Sequence, residues 1–261
     1  MSVTDGARRL LLALGLPVVL FALWWVTTTD SESPYVPPLA EILRTFGEVW
    51  FSAAIVGDLV GSLARLATGY ILALVLGVGI GVLVGSYRTL RSVVEPVLEF
   101  FRAIPPPVLV PILILFAGIG DTMKVLVIVS GCVWPVLLNT VEGVRAIDDV
   151  LSETAKCYGI RGRARLRHLV LRAASPQIAA GARQALSIGI ILMVISEMFA
   201  ASSGLGFTII QFQRGFAIPE MWSGIILLGL IGFLLSLLFR LVESRGLEWY
   251  HGLRRAQRSE G

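Results

Sequence analysis

The 261-residue chain is 56% hydrophobic and 15% charged, with a formal net charge of +4. Soluble domains average about 25% charged residues, and apolar runs of roughly 16–21 residues, long enough to cross a bilayer core as helix, recur along this sequence. Those features exclude an ordinary soluble protein. The excess of base requires no nucleic acid, because a basic cytoplasmic face beside anionic lipid accounts for it.

The first apolar run spans 10–27. Arg8 and Arg9 ahead of it resemble a secretory signal, but the run exceeds a signal core and no small-x-small cleavage site precedes Asp30. A retained helix is expected, with Trp24 and Trp25 as an interfacial anchor near its outer end. Segment 28–65 opens with a turn-rich stretch from Asp30 to Pro38. Ile42, Phe46, Val49 and Trp50 then fall at helical spacing, which suits a covering helix on the membrane surface.

The second span, 66–86, carries Gly77, Gly81 and Gly85 spaced by four, so one helix face can pack closely on another. No strand precedes this run and no lysine follows, so it is not a phosphate loop. The third span, 104–119, begins with Pro105, Pro106 and Pro107, tolerated in a first helical turn. Pro111 should bend or locally unwind it. Irregular backbone within a membrane is allowed only against protein or a water-filled cavity. This places the span beside a translocation path, a merely kinked packing helix being the alternative. A tight turn, Gly118-Ile119-Gly120-Asp121, leads into the fourth span, 125–141. Spans at 184–200 and 222–239 complete an all-α membrane protein of six transmembrane helices, read as a single domain over 1–261.

Placing the N-terminus in the cytoplasm puts 18 Lys and Arg on the inner side and 4 on the outer, so both termini are expected inside. Cys132 falls in the fourth span and Cys157 in a cytoplasmic segment, too differently placed to pair. Neither Lys124 nor Lys156 follows glycine in a P-loop setting, and His168 and His251 are both cytoplasmic. No metal site, cofactor site or catalytic motif emerges. The polar residues of the spans, Ser130, Asn139, Gln184, Ser187 and Ser196, fit either solute contact or helix packing. Glu197, near the outer end of the fifth span, is costly there unless paired or wet. It reads as an outer-gate contact, or as a carboxylate reaching interfacial water or pairing with Arg214 or Arg65.

Between the fourth and fifth spans lies a basic block, approximately 145–178, with seven Lys or Arg. Leu151, Ala155 and Tyr158 recur at i, i+4, i+7, giving a short helix one apolar face. Gly159 can end that helix with positive φ. Arg161, Arg163, Arg165, Arg167 and Arg172 would then form a second, charged helix before Pro176. The pair makes a docking knob for a cytoplasmic partner.

This block resembles the cytoplasmic "EAA" loop of bacterial ATP-binding-cassette importer permeases: Glu-Ala-Ala, three residues, Gly, nine residues, Ile-x-Leu-Pro. Glu153, Ala155, Gly159, Leu169 and Leu171 stand in register, with Pro176 at a second proline position. Thr154 replaces an alanine and Arg172 the first proline, which leaves the bend after the docking helix less fixed. Further pieces lie in matching order: Arg102 to Pro105, Gly118 to Gly120, Leu138 to Thr140 with Gly143, Gly181 to Arg183, Ser196 to Met198, and Ser203 to Gly206. They are similar to permeases of nitrate, sulfonate and taurine importers.

The resemblance implies two permease subunits, most simply identical, two cytosolic ATPases that bind ATP-Mg, and an extracytoplasmic solute-binding protein, in the cell membrane. It implies that the region from Glu153 to Gly159 docks on the ATPase, with Leu169 and Leu171 in the same loop. Pro111, Ser130, Asn139, Ser187, Ser196 and Glu197 are the candidates for the translocation path. Segment 28–65 then becomes either a structural cover or a contact for the binding protein. A secondary transporter, which needs no ATPase, is the alternative. It usually shows internal repeats and buried ion-coupling charges, and neither stands out here.

Overall fold

The computed structural model describes residues 3–29, 31, 33–199 and 201–250. The side chains of Arg8 and Arg9, residues Asp30 and Glu32 of the turn-rich stretch, and everything from His251 onward lie outside what is described. Among the described residues every regular element is helical. Helices α1 (Val3–Thr28), α2 (Leu39–Val49) and α3 (Ala53–Ser86) are followed by α4 (Arg88–Arg102) and α5 (Val110–Ala117). Then come α6 (Asp121–Arg145), α7 (Asp149–Cys157), α8 (Gly162–Arg165), α9 (Leu171–Phe199), α10 (Leu205–Arg214) and α11 (Ile218–Gly246). Among the described residues four helical stretches are long and apolar enough to cross a membrane: Ile55–Ser86, Asp121–Arg145, Gly162–Phe199 and Ile218–Gly246. A bent pair, Arg88–Arg102 with Pro106–Ala117, makes a fifth if taken as one span.

That pair corrects the expectation of one helix over 104–119. The chain turns by 82° between its two members, and a 3₁₀ turn at Pro106–Leu109 leads into the two-turn α5. The break falls upstream of Pro111, which lies in the first turn of α5. The proline run explains this. A residue before a proline is biased out of the helical region, and Pro105, which precedes Pro106, is extended, with φ −63° and ψ 123°.

The chain divides into two compact units, Met1–Asp58 with Thr208–Gly229, and Leu59–Phe207 with Leu230–Gly261. In the first, α2 buries Leu39, Ile42, Thr45 and Trp50, the face that the spacing predicts. The indole of Trp50 donates to Ser223 Oγ at 2.8 Å and its ring meets Phe212 edge-on. Trp24 stacks near Trp222 at 5.6 Å, while Trp25 is exposed, so one of the two expected anchors is instead a packing residue.

In the second unit, α3 and α6 run parallel in close contact. A methyl group built on Gly69, Gly77, Gly81 or Gly85 would come within 2.6–2.8 Å of Ile128, Val136, Thr140 or Val144, respectively. The glycine ridge of α3 therefore meets a mostly β-branched ridge of α6 at a constant sequence offset. At Gly81 the methyl would also lie 2.8 Å from the backbone carbonyl of Leu137, which cannot rotate away. Gly81→Val is expected to cost about 1–3 kcal/mol by overpacking, seen as a lowered Tm in detergent. Gly79 faces open space, and Gly79→Leu is expected to leave Tm unchanged. Across the other side of α6, α9 packs antiparallel, with Gly143 against Ala174 and Gln177 and Gly181 against Pro135 and Asn139. Beyond Leu230, α11 exposes Phe233, Leu234, Leu237, Leu238, Leu241 and Val242, a continuous apolar face.

Candidate functional site

The basic block builds a short helix with a defined start and stop. Asp148 Oδ1 accepts the Val150 N–H at 2.8 Å, capping α7, and Asp149 places a carboxylate in its first turn. At the other end Gly159 has φ +68°. The Ile160 N–H bonds to the Ala155 carbonyl at 2.9 Å and the Gly159 N–H to the Lys156 carbonyl at 3.0 Å. That pair is a Schellman cap, which requires a left-handed residue where glycine stands.

Of the apolar face expected from Leu151, Ala155 and Tyr158, only Ala155 turns inward. Tyr158 is 79% exposed and Val150 72%, with Leu151 also outward. Glu153 is exposed and takes Lys156 Nζ at 2.7 Å. Leu169 is buried, and Leu171 half-buried.

The expected separate basic helix ending before Pro176 does not form. Instead α8, one π turn at Leu166–Val170 and α9 run continuously through Pro176. A proline inside a helix frees the carbonyl four residues back, here that of Arg172, and Ser175 Oγ donates to it at 2.9 Å. Arg172 itself lies over the Trp249 ring at 5.6 Å.

Glu197 is wholly buried. It accepts from Arg65 Nη1 at 2.8 Å, from Ser62 Oγ at 2.7 Å and from the Gly206 N–H at 3.0 Å. Arg65 Nε also donates to Asp121 Oδ1 at 2.7 Å, and Nη2 to Ser203 Oγ at 3.3 Å. Lys124, 3% exposed, points its Nζ at the Ser203 carbonyl (3.5 Å) and at Asp121 Oδ1 (3.7 Å). The partner of Glu197 is thus Arg65, not interfacial water. The Ser203 to Gly206 turn closes over the carboxylate: Gly204 has φ +118° and a methyl there would lie 2.5 Å from Glu197 Cδ.

Arg65 corrects the reading of 28–65 as an outer segment, because α3 already begins at Ala53 and carries Arg65 inside it. Its pairing with Glu197 is one of the alternatives the sequence offers; Ser62, Asp121 and Lys124 are partners it does not. Ser62 one turn before Arg65, in a stretch otherwise apolar, was the available signal.

The other translocation-path candidates scatter. Ser130 and Ser196 donate to carbonyls of their own helices. Asn139 bonds to the Pro135 carbonyl at 2.8 Å and approaches Gln184 at 3.4 Å. Pro111 and Ser187 are exposed. Among the described residues no cluster of three His, Cys, Asp or Glu could hold a metal ion.

Residues 69–245 match the model of the binding-protein-dependent transport system inner membrane component family. The taurine transport system permease protein of Escherichia coli K12 is 29% identical, covering 94% of this chain and 91% of its own. A putative aliphatic sulfonates transport permease protein of Bacillus subtilis is 31% identical over 90% of this chain and 86% of its own. A bicarbonate transport system permease protein of Synechococcus elongatus is 31% identical over 68% of this chain and 64% of its own. In fold, the chain is similar to an inward-facing structure of the MetNI methionine ABC transporter, with TM-score 0.64 at 20% identity, covering 76% of this chain and 97% of that one. The chain therefore belongs to the binding-protein-dependent inner membrane component family, as a multi-pass permease subunit of an ATP-binding-cassette importer.

Proposed function

We propose that this permease carries a small anion of the sulfonate or related oxyanion class, and that α7 with its glycine cap couples it to a separate cytosolic ATPase. The reading assigns six spans with both termini inside, two identical permease subunits per transporter, and an extracytoplasmic binding protein that delivers the solute. The solute class rests on relatives named for taurine, aliphatic sulfonates and bicarbonate. A separate ATPase fits the sequence, in which neither lysine stands in a nucleotide-binding loop, and the reading places ATP-Mg on that partner.

The observation that carries the coupling role is the outward apolar surface of α7. Val150, Leu151 and Tyr158 stand exposed on a short, capped helix in an otherwise polar block. Large apolar side chains held outward by a rigid cap are what a partner's groove takes up. Glu153, Ala155 and Gly159 set the orientation of that surface, and Leu169 and Leu171 root it in the following helix. Gln184 and Ser187 on the exposed face of α9, beside Asn139, contrast with the apolar exposed face of α11, which supports a path along α9. In that arrangement Pro111 borders the path, Ser130 and Ser196 stiffen its helices, and Glu197 holds its outer closure.

The test is co-purification with the partner ATPase, followed by solute-stimulated ATP hydrolysis in proteoliposomes. Tyr158→Ala is expected to lower ATPase retention by about tenfold, the effect of losing one buried aromatic anchor of 1.4 kcal/mol or more. Retention unchanged by both Tyr158→Ala and Leu151→Ala would overturn the assignment of α7 as the docking element. A mass measurement of the complex decides the stoichiometry, two permease chains per two ATPases being expected.

A further inference from the structure

Where α3 and α6 end beside α7, a cavity of about 460 Å³ is lined by four arginines, Arg88, Arg91, Arg145 and Arg165, against a single carboxylate, Asp149. Arg145 is partly neutralised by Glu142 at 2.8 Å. Arg88, Arg91 and Arg165 have no ion pair among the described residues. Arg165 Nη2 donates to Ser152 Oγ at 2.9 Å, but its Nε is buried without a partner. A guanidinium N–H shut away from both water and acceptor is costly, so this site is short of one anionic ligand.

The cavity does not stop at its basic end. It shares Ser86, Arg165 and Val170 with an adjoining hollow lined by Val82, Leu83 and Leu166. That hollow shares Gly79, Val82 and Leu166 with an apolar groove reaching Leu74 along α3, walled on the other side by Leu166 and Leu171. From Ser86 to Leu74 the groove follows the helix for about 18 Å, at 1.5 Å per residue. Gly79, with nothing near its missing side chain, leaves the floor open.

We propose that this continuous site binds one anionic phospholipid, its phosphate headgroup among Arg88, Arg91 and Arg165 and one acyl chain in the groove along α3. The arginines alone would suit any phosphate-bearing anion, and free phosphate shares their chemistry. The apolar groove leading out of the basic end is what selects a lipid, since inorganic phosphate has no use for it. Basic pockets between membrane helices at the cytoplasmic boundary take up anionic headgroups by the same logic. The lipid would wedge between the end of α3 and the root of the loop at Leu166 and Leu171, its negative charge offsetting the arginine cluster. This site is independent of the ATPase-coupling role and can stand or fall without it.

The experiment is native mass spectrometry of the purified full-length permease, exchanged into detergent with equal amounts of phosphatidylglycerol and phosphatidylcholine of the same chain length. Phosphatidylglycerol is expected to be retained in excess by about fivefold for each engaged arginine. Arg88→Gln/Arg91→Gln should then lower its retention about twenty-fold, leaving Tm unchanged because both side chains lie at the open rim. Gly79→Leu fills the groove without touching a charge. It should lower phosphatidylglycerol retention too, and leave displacement of the lipid by millimolar inorganic phosphate as effective as before. Equal retention of the two lipids overturns the proposal. So does phosphatidylglycerol retention that Gly79→Leu leaves unchanged, because that result makes the site a phosphate pocket with no place for a chain.

Discussion

Gly159→Val is expected to abolish uptake while the chain still inserts, dimerises and leaves solute binding by the partner protein intact. The reason lies in the Schellman cap of α7. At φ +68° a β-branched side chain costs on the order of 1–2 kcal/mol in backbone strain, and the local way to relieve it is to open the Ile160 to Ala155 and Gly159 to Lys156 bonds. With the cap open, α7 extends or frays, and Tyr158 and Leu151 leave the positions in which they present themselves outward. No neighbouring atom lies within 4 Å of the position a methyl would take, so the effect is conformational rather than a clash inside the chain. Solute-stimulated ATP hydrolysis in proteoliposomes should fall to the basal rate. Gly159→Asn, which tolerates the left-handed region better than valine, should recover a substantial part of it. If valine matched wild type in both stimulation and uptake, the glycine cap would have no part in coupling.

The second large effect belongs to the buried pair. Removing one member of a buried ion pair strands the other's charge and typically costs about 3–5 kcal/mol. Arg65→Ala leaves the carboxylate of Glu197 with Ser62 and the Gly206 N–H alone, and Glu197→Ala leaves Arg65 facing Asp121 beside the ammonium of Lys124. Each single variant is expected to accumulate poorly and to unfold in mild detergent. The double variant should cost clearly less than the sum of the two, with a coupling energy of about 0.5–3 kcal/mol in the cycle. Additive costs would mean that the contact contributes nothing. Glu197→Gln keeps the shape and one acceptor, so it should assemble, and any change in its uptake or basal ATPase rate then reports the outer closure itself.

The sequence was most legible where a residue type can serve only one purpose. Glycines spaced by four have little use but close approach, and they mark the α3 face that meets α6. Gly159 after a short periodic segment reads as a helix stop, and the left-handed geometry follows. Prolines were harder. Pro105 to Pro107 each suit a first helical turn, which points to one helix, but Pro105 ahead of Pro106 is held extended and the span breaks there. Pro176 misled in the opposite direction: Ser175 takes up the carbonyl that the proline frees, so the helix runs on where a stop was expected. Arg65 was assigned to an outer segment because charge counts treat a lone arginine as a loop marker. A buried Glu197 calls for a cation, so Arg65 stands among its candidate partners, but Asp121 lies far away in sequence and its part in the pairing leaves no local pattern. The outward turn of Tyr158 was hidden for a related reason, since periodicity gives a face but not which side of it has a neighbour.

The interlock of α3 on α6 limits how this membrane domain can move. Ile128, Val136, Thr140 and Val144 of α6 each sit where a glycine of α3 has left room, and on either side of that room are full-sized residues. Sliding one helix along the other by a single residue would drive Val136 or Thr140 into a side chain. The next register that fits is a whole four-residue repeat away, about 6 Å at 1.5 Å per residue, with every contact broken in between. Gradual shear between the two is therefore closed off. If the loop that follows α6 takes up a push from the ATPase, as proposed, α3 and α6 are expected to tilt together as one lever.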